Sequence, residues 1–128
     1  MHTHGNAFTD YNMQINFLPS IRKSGDFTVM GITEYLELVR GGAYSKQVNA
    51  FQNASALSKD QQAEIKQLIP AVTISGIFKE SVKNANLLTH SGLICIDFDA
   101  VENPSQLKAE LSKDPYTFAA LLSASGNG

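Results

Sequence analysis

The sequence has no tryptophan, only four prolines and a single cysteine. With one thiol, Cys95, the chain can close no internal disulfide and build no multi-cysteine metal site. No apolar run approaches the roughly 18–20 residues that a membrane-spanning helix needs. The start, Met1-His2-Thr3-His4, lacks a basic patch followed by an apolar stretch, so no secretory signal is visible and the cytoplasm is the default compartment. Charge is sparse as well. Charged residues make up 17% of the chain, the formal net charge is −2 and the pI is near 5.8. That balance argues against a surface that coats duplex DNA by charge alone, while leaving room for one local basic groove.

What is present is enough apolar material for a core. At 43% hydrophobic over 128 residues the chain is too apolar for general disorder and long enough for one compact domain. The expected organisation is a single domain over residues 1–128, with a loose arm or partly ordered edge at 1–12. Met13-Gln14-Ile15-Asn16-Phe17-Leu18 alternates and predicts a strand closed by Pro19. Val29, Ile32, Leu36 and Val39 fall at helical spacing and predict a helix over 29–40, stopped by Gly41-Gly42. Residues 43–54 are ambiguous. Ser58-Lys59-Asp60-Gln61 matches a capping box, and Pro70 ends the helix that it opens.

Ala71-Val72-Thr73-Ile74-Ser75 predicts a strand broken by Gly76, and residues 79–86 a surface connection. Leu93-Ile94-Cys95-Ile96-Asp97-Phe98-Asp99 has the strongest strand pattern, with a front half apolar on both faces as in a covered central strand. In that setting Cys95 is a small core residue. Asn103 and Pro104 open a further helix, and a last strand is expected over 116–122. Alternating β and α elements give an α/β (α+β) class, a mixed β-sheet flanked by helices.

The residues with most chemistry are Asp97 and Asp99. In a strand their side chains share a face, with α-carbons roughly 6–7 Å apart. Two carboxylates so close repel unless a cation sits between them, and Mg²⁺ satisfies both while keeping positions for water and phosphate oxygens. The plain alternative is a polar strand exit into a loop. Ser123-Ala124-Ser125-Gly126-Asn127-Gly128 is a second candidate, since small residues let successive N–H groups face one phosphate. Lys79, after the Ser75-Gly76 turn, is a candidate phosphate contact, against the plain reading of a solvated lysine. Arg22-Lys23 is the one paired basic spot. His90 precedes the predicted central strand and reads as a turn histidine.

Three stretches carry a resemblance: residues 68–78, residues 90–99 ending in Asp97-Phe98-Asp99, and residues 114–120 followed by 123–128. Together they resemble the N-terminal domain of virulence-associated protein E-type proteins, which is similar to the archaeo-eukaryotic primase (primase-polymerase) superfamily. The resemblance implies a metal-dependent nucleotidyltransferase acting in DNA replication of a mobile or plasmid-like element. It implies Asp97 and Asp99 as catalytic ligands of Mg²⁺ or Mn²⁺. It also implies a nucleoside triphosphate held by Ser123, Ser125, Gly126, Asn127, Gly128 and Lys79, and nucleic acid as the partner. The basic residue and third acid of that superfamily have no match here. On that reading the chain is an N-terminal fragment of a larger catalytic domain, inactive alone and prone to self-association through an uncovered sheet edge. The alternative from another class is a non-catalytic module that binds nucleic acid or a partner beside a helicase-like region. The segment from Ile96 to Val101 is also similar to the first motif of haloacid dehalogenase-type phosphatases, a reading set aside because too little chain follows Asp99.

Overall fold

The structure is a computed structural model that describes residues 2–3, 13–20 and 27–126. Most of the expected arm, the Arg22-Lys23 pair, Asn127 and Gly128 lie outside the described residues. In chain order the elements are β1 (His2–Thr3), β2 (Gln14–Leu18), β3 (Thr28–Gly31), α1 (Ile32–Arg40), α2 (Ser45–Gln52), α3 (Lys59–Lys66), β4 (Ala71–Thr73), β5 (Gly76–Phe78), β6 (Leu87–His90), α4 (Pro104–Leu111) and β7 (Ala119–Ala120). The fold class is α+β. The described strands pair antiparallel in small sheets ordered β3-β2-β4, β5-β6 and β1-β7. No helix among the described residues is long and apolar enough to cross a membrane.

The chain divides into two compact units, Asn12–Cys95 and Met1–Tyr11 with Ile96–Gly128. In the first, β2 is the middle strand, pairing β3 from Gln14↔Gly31 to Phe17↔Thr28 and β4 from Asn16↔Thr73 to Leu18↔Ala71. Its Ile15 and Leu18 are buried with Ile32 and Leu36 of α1, Ala54 and Phe78. Ile32 and Leu36 are four residues apart and so share one face of α1. The helix expected to begin at residue 29 instead begins at Ile32, because Thr28 to Gly31 pair with β2 and the ladder takes the place of a first helical turn. Its end is as expected. Gly42, at φ +77°, occupies the left-handed position. Its N–H reaches the Val39 carbonyl at 3.1 Å and the Ala43 N–H reaches the Leu38 carbonyl at 3.0 Å, the two bonds of a Schellman motif.

The ambiguous stretch forms α2, which is tied to α3 by the Lys66 ammonium lying 5.8 Å from the Phe51 ring centre. Tyr44, just ahead of α2, stacks on Phe17 at 6.0 Å and on Tyr35 at 6.2 Å between ring centres. Burial first, then the neighbouring Tyr44, raises the Tyr35 hydroxyl above the usual phenol range. Burial and then Glu34 do the same at Tyr44, so both rings stay neutral near pH 7. At the start of α3 the capping box is complete. Gln61 N–H donates to Ser58 Oγ at 3.2 Å, and Ser58 N–H donates to Gln61 Oε1 at 3.1 Å. Ser58→Ala is expected to cost about 1 kcal/mol in urea unfolding and Ser58→Gly only a few tenths. A Ser58→Ala protein as stable as wild type would show that the cap contributes nothing.

Further expectations fail. Residues 93–99, the best strand pattern in the sequence, form no strand, and Ile94, Cys95, Ile96 and Phe98 are all exposed. Strand propensity is a fit to neighbours on a sheet rather than a property of the backbone. Here no hydrogen bond joins residues 94–99 to the described residues. Cys95 is therefore no core residue. The strand found in this region is β6, which the sequence pattern does not predict and whose last residue, His90, reads there as a turn histidine; it pairs with β5 through Gly76↔His90 and Ile77↔Thr89.

The strand expected over 116–122 also shrinks, to Ala119–Ala120, the two residues that pair with β1 among the described residues. In that second unit α4 is capped as expected, with Gln106 N–H donating to the Asn103 side-chain oxygen at 3.1 Å and Pro104 in the first turn.

Candidate functional site

Asp97 and Asp99 lie between β6 and α4, on the stretch without regular structure, and both are exposed. Neither has an ion-pair or hydrogen-bond partner among the described residues. Ala100 follows at φ +53°, a left-handed conformation that L side chains rarely adopt and that turns the chain after Asp99 toward the α4 cap. The pair is thus two open carboxylates separated by one residue, presented to solvent rather than held at the end of a covered strand.

The Ser/Gly turn is formed in the same unit. Gly126 N–H donates to the Ser123 carbonyl at 3.0 Å, with Gly126 at φ +78°. The Ser123 and Ser125 hydroxyl oxygens are 3.0 Å apart. Ser123 and Ser125 are exposed, so their hydroxyls are placed where a phosphate oxygen can reach them. Asn127 and Gly128, expected to complete the turn, lie outside the described residues.

Lys79 belongs to the other unit, Asn12–Cys95. It is exposed, and its backbone N–H donates to the Asn86 carbonyl at 2.9 Å. His90 ends β6, and its Nδ1 accepts the Gly92 N–H at 2.8 Å, the local bond of a turn.

Among the described residues no three His, Cys, Asp or Glu side chains converge on one point. That excludes a cation cage built by these residues alone. The donor set is all oxygen, which favours a hard cation over zinc.

Sequence reasoning missed the residue that joins the sheets of the first unit. Asn16 is buried, and its side-chain oxygen accepts the Phe78 N–H of β5 at 2.6 Å. The signal was there in the parity of β2, where Asn16 shares a face with the apolar Leu18.

These features define an α+β protein with an exposed carboxylate pair and a hydroxyl-rich turn. The chain belongs to the BT4734-like, N-terminal domain family, whose model matches residues 63–128. The matched stretch contains Lys79, Asp97, Asp99 and the whole Ser/Gly turn. No curated protein and no solved structure matched the chain. The family match overturns the resemblance to virulence-associated protein E-type and primase-polymerase domains. One of the three stretches that carried it was an apolar strand ending in Asp-x-Asp, and residues 93–99 form no such strand.

Proposed function

We propose that this domain takes part in metal-dependent nucleotidyl transfer during nucleic-acid replication, in the cytoplasm, with Asp97 and Asp99 holding Mg²⁺ or Mn²⁺. The observation that supports it is the pair of exposed carboxylates, two residues apart and without any cationic neighbour among the described residues. Two bare carboxylates at that spacing bind a divalent cation more readily than either alone, since the cation removes their mutual repulsion. A cation held there would neutralise charge on a transferred phosphate and make a hydroxyl a better nucleophile. The substrate would be a nucleoside triphosphate. Ser123 and Ser125, in the same unit as the acids, would contact its phosphates through their paired hydroxyls. The acids act as ligands and the rest is positioning.

Calorimetric titration of Mn²⁺ into the chain, with and without a nucleoside triphosphate, tests this. The Asp97→Asn/Asp99→Asn variant is expected to bind Mn²⁺ at least ~10-fold more weakly, a difference of about 1.4 kcal/mol. Its fold should be unchanged, because both side chains are exposed and have no partner among the described residues. Equal affinity in both proteins would falsify the reading. A second reading, a non-catalytic module that binds a partner or nucleic acid, is favoured by the apolar side chains exposed beside the acids. It would be left standing by that result.

A further inference from the structure

The imidazole of His90 accepts a hydrogen bond rather than donating one. His90 ends β6, and the Gly92 N–H donates to its Nδ1 at 2.8 Å. A ring nitrogen that accepts carries no hydrogen, so the imidazole in this turn is neutral, with its proton on Nε2. Protonation would place a hydrogen on Nδ1 and set two donors against each other. Histidine is also the side chain that ordinarily changes charge between about pH 5 and 8. The bond is therefore one that acid removes.

The bonds on either side of it involve no titrating group. Ser91 N–H donates to the Ser75 carbonyl at 2.7 Å, and Ser91 Oγ donates to the Ile74 carbonyl. Leu93 N–H donates in turn to Ser91 Oγ at 3.1 Å. Gly92 stands between these two anchored residues at φ +83°. His90 makes no ion pair among the described residues, and β5, the strand it pairs with, carries no charged side chain. No neighbouring charge thus offers the protonated ring a replacement partner.

We propose that His90 is a pH-sensitive latch on the turn that leaves β6. Neutral, it closes the turn on Gly92; protonated, it releases Gly92 while Ser91 and Leu93 keep their bonds. The latch lies wholly within the unit Asn12–Cys95 and is independent of the metal reading.

NMR of the nitrogen-15-labelled chain between about pH 5 and 8 is the test. At the upper end the His90 ring nitrogens should report the Nε2–H form, with the Gly92 amide proton shifted downfield by its bond. As pH falls the Gly92 signal should move upfield in step with the His90 ring, while the Ser91 amide holds its place. His90→Asn supplies a side-chain oxygen that reaches the N–H two residues on and does not ionise, so its Gly92 signal should stay downfield at both ends. His90→Ala should show the released position at both ends. Both variants should fold as wild type does, because the His90 side chain is exposed and its pairing with Gly76 is made by the backbone. A Gly92 signal that ignores the titration of His90 overturns the proposal. So do an Nδ1–H ring at the upper end and a Gly92 signal that titrates as strongly in His90→Asn as in wild type.

Discussion

Gly76→Ala should cost the chain about 3 kcal/mol or more, combining backbone strain of about 1–3 kcal/mol with overpacking of about 1–3 kcal/mol. Gly76 opens β5 at φ +145°, a conformation that L side chains rarely adopt. A methyl group added there would overlap the Thr89 carbonyl oxygen of β6 and come within 3.0 Å of the His90 Cα. Both obstacles are backbone atoms of the paired strand, so no side-chain rotation relieves them. Gly76 is itself buried, and its carbonyl accepts the Thr73 hydroxyl at 2.7 Å, which ties the turn between β4 and β5 to the same position. Moving β6 away would break the Gly76↔His90 pairing and its neighbours. Against a typical domain stability of about 5–15 kcal/mol, such a loss is a large fraction.

Urea unfolding followed by circular dichroism reads the effect. Gly31→Ser is the control, because a Cβ at Gly31 would meet nothing within 4 Å and its backbone is extended ahead of α1. Serine is a better N-cap than most residues, so that change should be neutral or slightly stabilising. A Gly76→Ala midpoint close to wild type would show that β5 and β6 do not pair as described.

Several elements were legible because their causes are local. The Ser58/Gln61 box, the Asn103-Pro104 start and the Gly41-Gly42 stop each depend on a few residues meeting their own backbone, and each is found where the sequence places it. Strand β2 was legible through its alternation. The α1 boundary was misread because Val29 fits a helical stripe equally well, and the choice was made by β2 lying alongside. Residues 93–99 were misread for the converse reason. Their composition calls for strands on either side, and among the described residues they pair with none. The candidate site suffered the same way, since Asp97 and Asp99 were placed by assuming that strand. Their identity as two adjacent open carboxylates was legible, whereas their setting depended on contacts that no short segment encodes. β6 was missed because Leu87, Leu88 and Thr89 carry no alternation and all remain exposed.

Asn16→Leu should destabilise the chain by about 2 kcal/mol although it makes the core more apolar. Asn16 is 1% exposed. Its side-chain oxygen accepts the Phe78 N–H at 2.6 Å, and its amide donates to the Thr28 carbonyl at a longer 3.4 Å. One side chain on β2 thus serves a donor on β5 and an acceptor on β3. Leucine is of similar size but leaves the Phe78 N–H buried and unpaired, a penalty of about 1–3 kcal/mol. Its extra apolar burial, about 0.8 kcal/mol per methylene-sized group, offsets only part of that. Asn16→Asp separates hydrogen bonding from shape. A protonated aspartic acid can accept from Phe78 and donate toward Thr28, whereas the carboxylate is buried and faces the Thr28 carbonyl with like charge. Burial raises such a group above its unfolded value of about 3.9. The group then binds its proton more tightly folded than unfolded. Asn16→Asp should therefore approach wild-type stability below about pH 4 and lose it as pH rises through the raised folded value. Chemical denaturation at pH 4 and pH 7 measures both arms. An Asn16→Leu protein as stable as wild type, or an Asn16→Asp deficit that does not grow with pH, would remove Asn16 as the link between the two sheets.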